Sequence, residues 1–253
     1  MVIFHEITEI KRKEAEIRSI NEELTRSNAT KDMLFKVISH DLRGPVGTIV
    51  SYLRMLVESG KSIESHKIEI LYSTSENAYF MIENLLYWAI GQKNGLYLQP
   101  SGVEMKKLIA QAVRHVQILA NQKGITIRNN CPDGLYGYCD ANSVEIVLRN
   151  LLSNAIKFTG IGKEVTVSAF PAENRVIVET VDQGTGISDE VIRKIIDKEA
   201  IKPETGTNRE VGTGIGLSLC FNLINANHGS IGFIRNKTEG TTVQVNLPAH
   251  SPE

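Results

Sequence analysis

Two runs of apolar residues in the N-terminal third keep a 4-3 rhythm. Ile68, Leu71, Ser75, Ala78, Ile82, Leu85 and Ala89 form one, and Phe35, Ile38, Leu42, Pro45, Ile49, Leu53 and Leu56 form the other. That spacing lines residues along one stripe of an α-helix. Ser59-Gly-Lys-Ser62 between the runs supplies a turn and a capping serine for the second helix. Two long amphipathic helices joined by a short turn make an antiparallel hairpin. A lone hairpin buries neither stripe well, so a homodimer closing a four-helix bundle is expected. Upstream, Ile7, Ile10, Ile17 and Leu24 alternate with polar Glu14, Asn21 and Asn28. This reads as a coiled-coil seam whose polar residues weaken it but fix its register, with an ordinary solvated helix as the plainer alternative.

After Gln92-Lys-Asn-Gly95 the pattern changes from all-helical to mixed. "LYLQPSG" (96–102) reads as a strand-like linker, and Val103–Lys123 as a helix through Leu108, Ala112, Val116 and Leu119. Ile125–Arg128 alternates like a strand, Val144–Phe158 is helical, and Glu164–Phe170 with Arg175–Val181 form a strand hairpin. Gly216–Asn227 is helical, followed by a closing strand pair, Ser230–Arg235 and Thr241–Leu247. This order predicts helices packed on one face of a mixed sheet. The expected class is therefore α plus α/β: a coiled coil and helical hairpin, then an α/β sandwich.

The balance of charge excludes some functions. With 28 basic and 29 acidic residues the formal net charge is -1, so bulk attraction to nucleic acid or to an anionic membrane is not expected. Cys131, Cys139 and Cys220 are too few and too scattered for a disulfide framework, and no C-x-x-C pair suggests zinc. Three buried or half-buried thiols in a reducing, cytoplasmic setting fit better. No apolar run reaches the length of a membrane span, so any membrane anchor of the full-length protein would lie in segments outside this sequence.

Three clusters carry chemistry. In "RNLLSNAIKFT" (149–159), Asn150, Asn154 and then Lys157 or Phe158 recur at three to four residues and share one helix face. Two amides and an ammonium on one face suit a metal ion and phosphate oxygens. In "VDQGTGIS" (181–188), Asp182 at a strand end can accept from an exocyclic amine, and Gly184 and Gly186 admit a ligand close to the backbone. In "GTGIGLSL" (212–219), Gly212, Gly214 and Gly216 open a helix whose free N–H groups favour anions. This is neither a dinucleotide fingerprint, since Leu217 stands where the third glycine would be, nor a Walker loop, since no G-K-[ST] follows. Each cluster alone also fits a solvated helix face or a glycine turn.

Their order resembles the ATP-binding fold shared by histidine kinases, gyrase, MutL and certain heat-shock chaperones. Within that group, "SHDLRGP" (39–45) resembles the phospho-acceptor box of sensor histidine kinases, and "GTTVQVNLP" (240–248) their closing strand. The resemblance covers residues 30–248. "VIFHEITEIKRKEAE" (2–16) is similar to the last strand of a PAS sensor domain running into a signalling helix. The resemblance implies three segments: 1–30, the end of a PAS-like sensor and its coiled-coil helix; 31–95, the dimerisation and phosphotransfer hairpin; and 96–253, the ATP-binding domain.

By that resemblance His40 accepts the γ-phosphoryl group of ATP on Nε2, which needs a neutral, exposed imidazole, and Asp41 holds Nδ1–H. Asn154 corresponds to the magnesium ligand, Asn150 to a neighbour that contacts phosphate or metal, Lys157 to a phosphate ligand and Phe158 to a wall of the adenine pocket. Asp182 reads the adenine amino group. Gly184, Gly186, Ile187, Gly212, Thr213, Gly214, Gly216, Leu217 and Thr242 complete the nucleotide site. A mobile lid is expected over roughly 188–211, with Arg193, Lys194, Lys198, Lys202 and Arg209 as its cations. Lid packing should differ from the family's, since Ile195-Ile196 stands where a phenylalanine is common. The implied partners are a second copy, a response-regulator receiver domain and an upstream sensor, with ATP and Mg2+ as cofactors.

Two departures matter. ATP-hydrolysing relatives carry a water-activating glutamate where Asn150 stands, so transfer to a side chain is favoured over hydrolysis. Relatives that dephosphorylate their regulator carry Thr or Asn four residues after the histidine; Gly44 has no side chain there, so weak phosphatase activity is expected. An ATP-hydrolysing conformational machine and a non-enzymatic dimeric scaffold remain the competing readings. Gly44 and Pro45 also predict a helix kink just beyond His40.

Overall fold

The computed structural model describes residues 11–14, 16–18, 20–21, 25, 42–59, 65–93, 97–196, 206–208, 216–236 and 239–250. The chain divides into two compact units, 1–64 and 65–253.

In the first unit, the described residues between 11 and 25 are helical and exposed, Ile17 among them. Helix α1 (Arg43–Ser59) follows. It is described from Arg43 onward, and the stretch around His40 that the expected kink would join to it lies outside the described residues. Gly44 and Pro45 lie in the first turn, where proline's missing N–H breaks no bond of the described helix. Its first bond runs from Val46 N to the Leu42 carbonyl, 3.2 Å. Val46, Val50, Leu53 and Val57 are exposed. Residues 39–41 of the acceptor box and the turn residues 60–62, with the α1–α2 hairpin pairing they were read to make, lie outside the described residues.

The second unit opens with α2 (Ser65–Lys93), followed by β1 (Ser101–Glu104) and α3 (Met105–Gln122). Gly102 and Val103 therefore belong to a strand, not to a linker and a helix start. The reason is β3 (Tyr136–Cys139), a strand too short to read from sequence, with which β1 pairs antiparallel. The main sheet contains β2 (Thr126–Asn129), β4 (Glu164–Ala172), β5 (Arg175–Asp182), β6 (Ser230–Arg235) and β7 (Thr241–Pro248). Its order is β2-β4-β5-β7-β6, with β2 parallel to β4 and the other pairs antiparallel.

Helices α3, α4 (Ala141–Phe158) and α6 (Gly216–Ala226) cover one face of this sheet. Met105, Leu108, Ile109, Leu148, Leu152, Ile156, Leu219, Leu223 and Ile224 are fully buried between the layers. Residues 189–196 (Asp189–Ile196) form helix α5, so the first part of the segment expected as a lid is regular helix. The start of α4 is held tightly. Asp140 caps it by accepting from Ser143 N at 2.8 Å, and buried Asn227 accepts from Asp140 N at 2.7 Å while donating to Ser143 Oγ at 2.9 Å. Cys131, Cys139 and Cys220 are free and buried. Burial pushes the Cys131 and Cys139 thiols up to about 11 and about 12, so both stay protonated and inert near neutral pH. Among the described residues no helix is long and apolar enough to cross a membrane.

Candidate functional site

Strand β5 alternates, with Val176, Val178, Thr180 and Asp182 on the helix-covered side. Asp182 closes the strand as a buried carboxylate. Its Oδ1 accepts from Gly184 N at 2.8 Å, and the backbone N–H of Thr241 also donates to it. Burial pushes the Asp182 carboxyl above the ordinary carboxylate range, and these two backbone donors pull it part of the way back. Two glycines let the turn close around it. A side chain on Gly184 would strike the Phe158 carbonyl, and one on Gly240, at φ 81°, would strike the carbonyl of Asp182 itself.

Thr241 is a residue that the sequence reading missed. It is buried on the covered side of β7, and its Oγ1 accepts from Ile187 N at 3.0 Å. Strand alternation puts Thr242 on the opposite side of β7, where its hydroxyl donates to Asn236 Oδ1 at 2.8 Å. Thr242 thus faces away from the Asp182 carboxylate and reaches only the Asp182 backbone carbonyl, through Asn236 Nδ2 at 3.5 Å, while Thr241 lies on the side that bears the carboxylate. The apolar Val243, Val245 and Leu247, at even steps from Thr241, were the available signal. Ile187 and Gly186 lie beside this turn, Gly186 next to the Arg235 side chain.

Helix α4 brings Asn150, Asn154, Lys157 and Phe158 to the same region. Phe158 adjoins the Asp182 turn through the Thr159–Gly184 bridge. The Lys157 ammonium lies 4.7 Å from the centre of the Phe158 ring. Asn154 is half-buried one turn earlier. Gly216 and Leu217 open α6 beside Asn150, where a Cβ on Gly216 would sit 2.8 Å from Asn150 Oδ1. Gly212, Thr213 and Gly214 lie outside the described residues, as do His40 and Asp41.

Asn150 has partners that no sequence pattern suggested. Its Nδ2 donates to the Ile146 carbonyl at 3.0 Å and to Asn84 Oδ1 of α2 at 3.1 Å, and its Oδ1 accepts from Asn84 Nδ2 at 3.3 Å. The carbonyl of Ile146 can only accept, which fixes the orientation of the amide. Both amide hydrogens are therefore engaged, and only the oxygen keeps capacity for a ligand. One residue back, Arg149 pairs with Glu83 of α2 at 2.6 Å and lies 3.9 Å over the Phe80 ring. His115 of α3 stands between Glu76 of α2 at 3.3 Å and Glu145 of α4 at 3.1 Å. Glu76, Phe80, Glu83 and Asn84 form one face of α2, and that face is docked on α3 and α4.

Comparison with known proteins gives a consistent picture. Residues 139–251 match the family described as histidine kinase-, DNA gyrase B-, and HSP90-like ATPase. The sensor protein KdpD of Clostridium acetobutylicum is 28% identical over 90% of this chain and 25% of its own length. The cell-division control histidine kinase PdhS of Brucella ovis is 26% identical over 97% of this chain and 25% of its own. The chain thus spans about a quarter of the length of these relatives. Among solved structures, the Acinetobacter baumannii histidine kinase AdeS shares the fold with a TM-score of 0.57 at 20% identity, over 84% of this chain and 98% of that one. Full-length ShkA in complex with AMPPNP has a TM-score of 0.60 at 21% identity, over 85% of this chain and 45% of that one. The buried aspartate at a strand end, the Asn/Lys/Phe helix beside it and the glycine-opened α6 all fall within residues 139–251, the segment that matches the histidine kinase-, DNA gyrase B-, and HSP90-like ATPase family.

Proposed function

We propose that the chain is the catalytic core of a sensor histidine kinase, an ATP:protein-L-histidine phosphotransferase that phosphorylates its own His40. The observation that carries this reading is the Asp182 turn. A buried carboxylate, held by backbone donors in a turn bridged to the end of α4, offers an acceptor to the amino group of adenine, and the Lys157 ammonium lies at the same helix end for the phosphates.

Lys157 binds and orients phosphate oxygens, and Phe158 excludes water from the adenine edge. A magnesium ion fits the residues present. The Asn154 carboxamide offers one hard oxygen, and among the described residues no cluster of three acidic, histidine or cysteine side chains forms a cage, which suits an ion that keeps waters and takes phosphate oxygens. When bound, Mg2+ neutralises charge on the phosphates. Asn150, with its amide hydrogens engaged and no carboxylate, cannot serve as a base for water, which favours transfer over hydrolysis.

In the transfer step the Nε2 lone pair of neutral His40 forms the bond to the γ-phosphorus. The bond to the β–γ bridging oxygen breaks, ADP leaves, and Asp41 accepts the hydrogen bond from Nδ1–H. The phosphoryl group then passes to an aspartate of a response-regulator receiver domain. The exposed apolar residues of α1, and separately Ile68, Ile82 and Leu86 of α2, each fit burial in a homodimer. We place the chain in the cytoplasm, downstream of a PAS-like sensor. The test is labelling with γ-labelled ATP. Acid-labile, base-stable label should appear on the wild type and vanish in His40→Ala; undiminished label in that variant would refute the assignment.

A further inference from the structure

Lys123 is the C-cap residue of α3, and it is buried to 5% exposure, unusual for a lysine. Its ammonium donates to the Ile156 carbonyl at 2.8 Å and to the Lys157 carbonyl at 2.7 Å. These belong to the last turn of α4, where carbonyls have no partner within the helix and the helix dipole favours a cation. The donor comes from 33 residues upstream and from another element.

The same turn has a second visitor. Thr207 lies between the Asp182 turn and the start of α6. Its N–H donates to the Lys157 carbonyl at 3.1 Å, and its hydroxyl donates to the Thr159 carbonyl at 2.8 Å. The Lys157 carbonyl is therefore shared by Lys123 and Thr207. Its side chain is the one that lies over Phe158. One backbone unit thus joins a buried cation, the segment linking the two glycine boxes, and the candidate phosphate and adenine ligands.

From this we infer that Lys123 is a positioning residue for nucleotide binding. Its buried ammonium fixes the last turn of α4, and through it both the Lys157–Phe158 pair and the seat of Thr207. It touches no nucleotide atom. Without it, two carbonyls lose a charged donor, the helix end is free to fray, and Thr207 docks on a moving target. A lysine that only stabilised the domain would change its melting temperature and leave the affinity of the folded protein alone.

This inference rests on the nucleotide-binding reading, and the experiment separates the two. Trinitrophenyl-ATP is titrated into the full chain and into Lys123→Met, Thr207→Val and the double variant, below their melting transitions and with circular dichroism to confirm folding. No binding by the wild type would sink the nucleotide reading itself. With binding, Lys123→Met should raise Kd about tenfold and Thr207→Val about threefold, in the range of single charged and neutral hydrogen bonds. The double variant should match Lys123→Met within about twofold, since the Thr207 hydroxyl, 3.2 Å from the Lys157 carbonyl as well as 2.8 Å from that of Thr159, seats on the same helix end that Lys123 fixes. A folded Lys123→Met with wild-type Kd, or effects that multiply, would overturn the inference. If Lys123→Met does not fold, Thr207→Val decides alone, and an unchanged Kd there overturns it.

Discussion

Asp182→Asn separates the function of the Asp182 turn from its stability, because the two should move in opposite directions. Asp182 is 8% exposed and accepts from the N–H groups of Gly184 and Thr241. An asparagine of the same shape keeps one acceptor oxygen and turns an NH2 group toward either a backbone N–H or the amino group of adenine. A hydrogen bond to a charged acceptor contributes about 1.5–3 kcal/mol, and a donor facing a donor adds to that loss. Nucleotide affinity should therefore fall by at least about tenfold and up to a few hundredfold. Stability follows the other sign. Because burial raises the carboxyl in the folded state above its ordinary 3.8, the folded protein holds that proton more tightly than the unfolded chain. The stabilisation from the protonated form is complete below the ordinary value and is lost as pH rises through the raised one. Near neutral pH the wild type carries a buried charge that the variant lacks. Asp182→Asn without nucleotide should melt at or above the wild-type temperature near pH 7, and its advantage should shrink toward pH 4. Titration with trinitrophenyl-ATP and melting curves at several pH values check both arms. Binding within about threefold of wild type, or a variant markedly less stable at pH 7, would refute the reasoning.

Glu83→Gln leaves the Arg149 guanidinium, only 9% exposed, without its anionic partner. Because Glu83 is itself 27% exposed, the loss should be about 1–2 kcal/mol, read as a lower urea midpoint, and a change under about 0.3 kcal/mol would show the pair to be incidental. Gly44→Thr should be accepted structurally, since a Cβ at Gly44 meets nothing within 4 Å. If the missing side chain is what weakens phosphatase activity, the variant should speed loss of phosphate from a phosphorylated cognate regulator in the presence of ADP, at unchanged stability; no gain would refute that role for position 44.

The sequence was most informative where a local pattern and a burial pattern coincide. Strands β4 to β7 and helices α4 and α6 were legible because alternation or helical spacing runs through each, and Asp182 was legible because it ends such a strand. Short elements were not. Strand β3 has four residues, and its pairing with β1 depends on residues more than thirty positions apart. Thr241 was not legible because the motif that names Thr242 does not say which face of the strand each residue occupies. The contacts of α2 with α4 were invisible for a different reason. Asn84 and Asn150 are 66 positions apart, and nothing local in either segment reports the other. Lys123 reads in sequence as one more surface lysine near a turn; only the carbonyls of α4 explain its burial.

The docked face of α2 has a mechanical meaning. The helix runs 29 residues, about 43 Å at the usual rise, without a break. Glu83 and Asn84 lie about two-thirds of the way along this rod, so a small turn at its start becomes a displacement at Arg149 and Asn150. If the rod rotates off α4, a buried guanidinium and a buried amide each lose a partner, at roughly 1–3 kcal/mol apiece. Thermodynamic reciprocity then applies: whatever twisting α2 does to the free energy of a ligand at the α4 face, that ligand does in return to the preferred angle of α2. The rod is therefore a lever that can be pulled from either end.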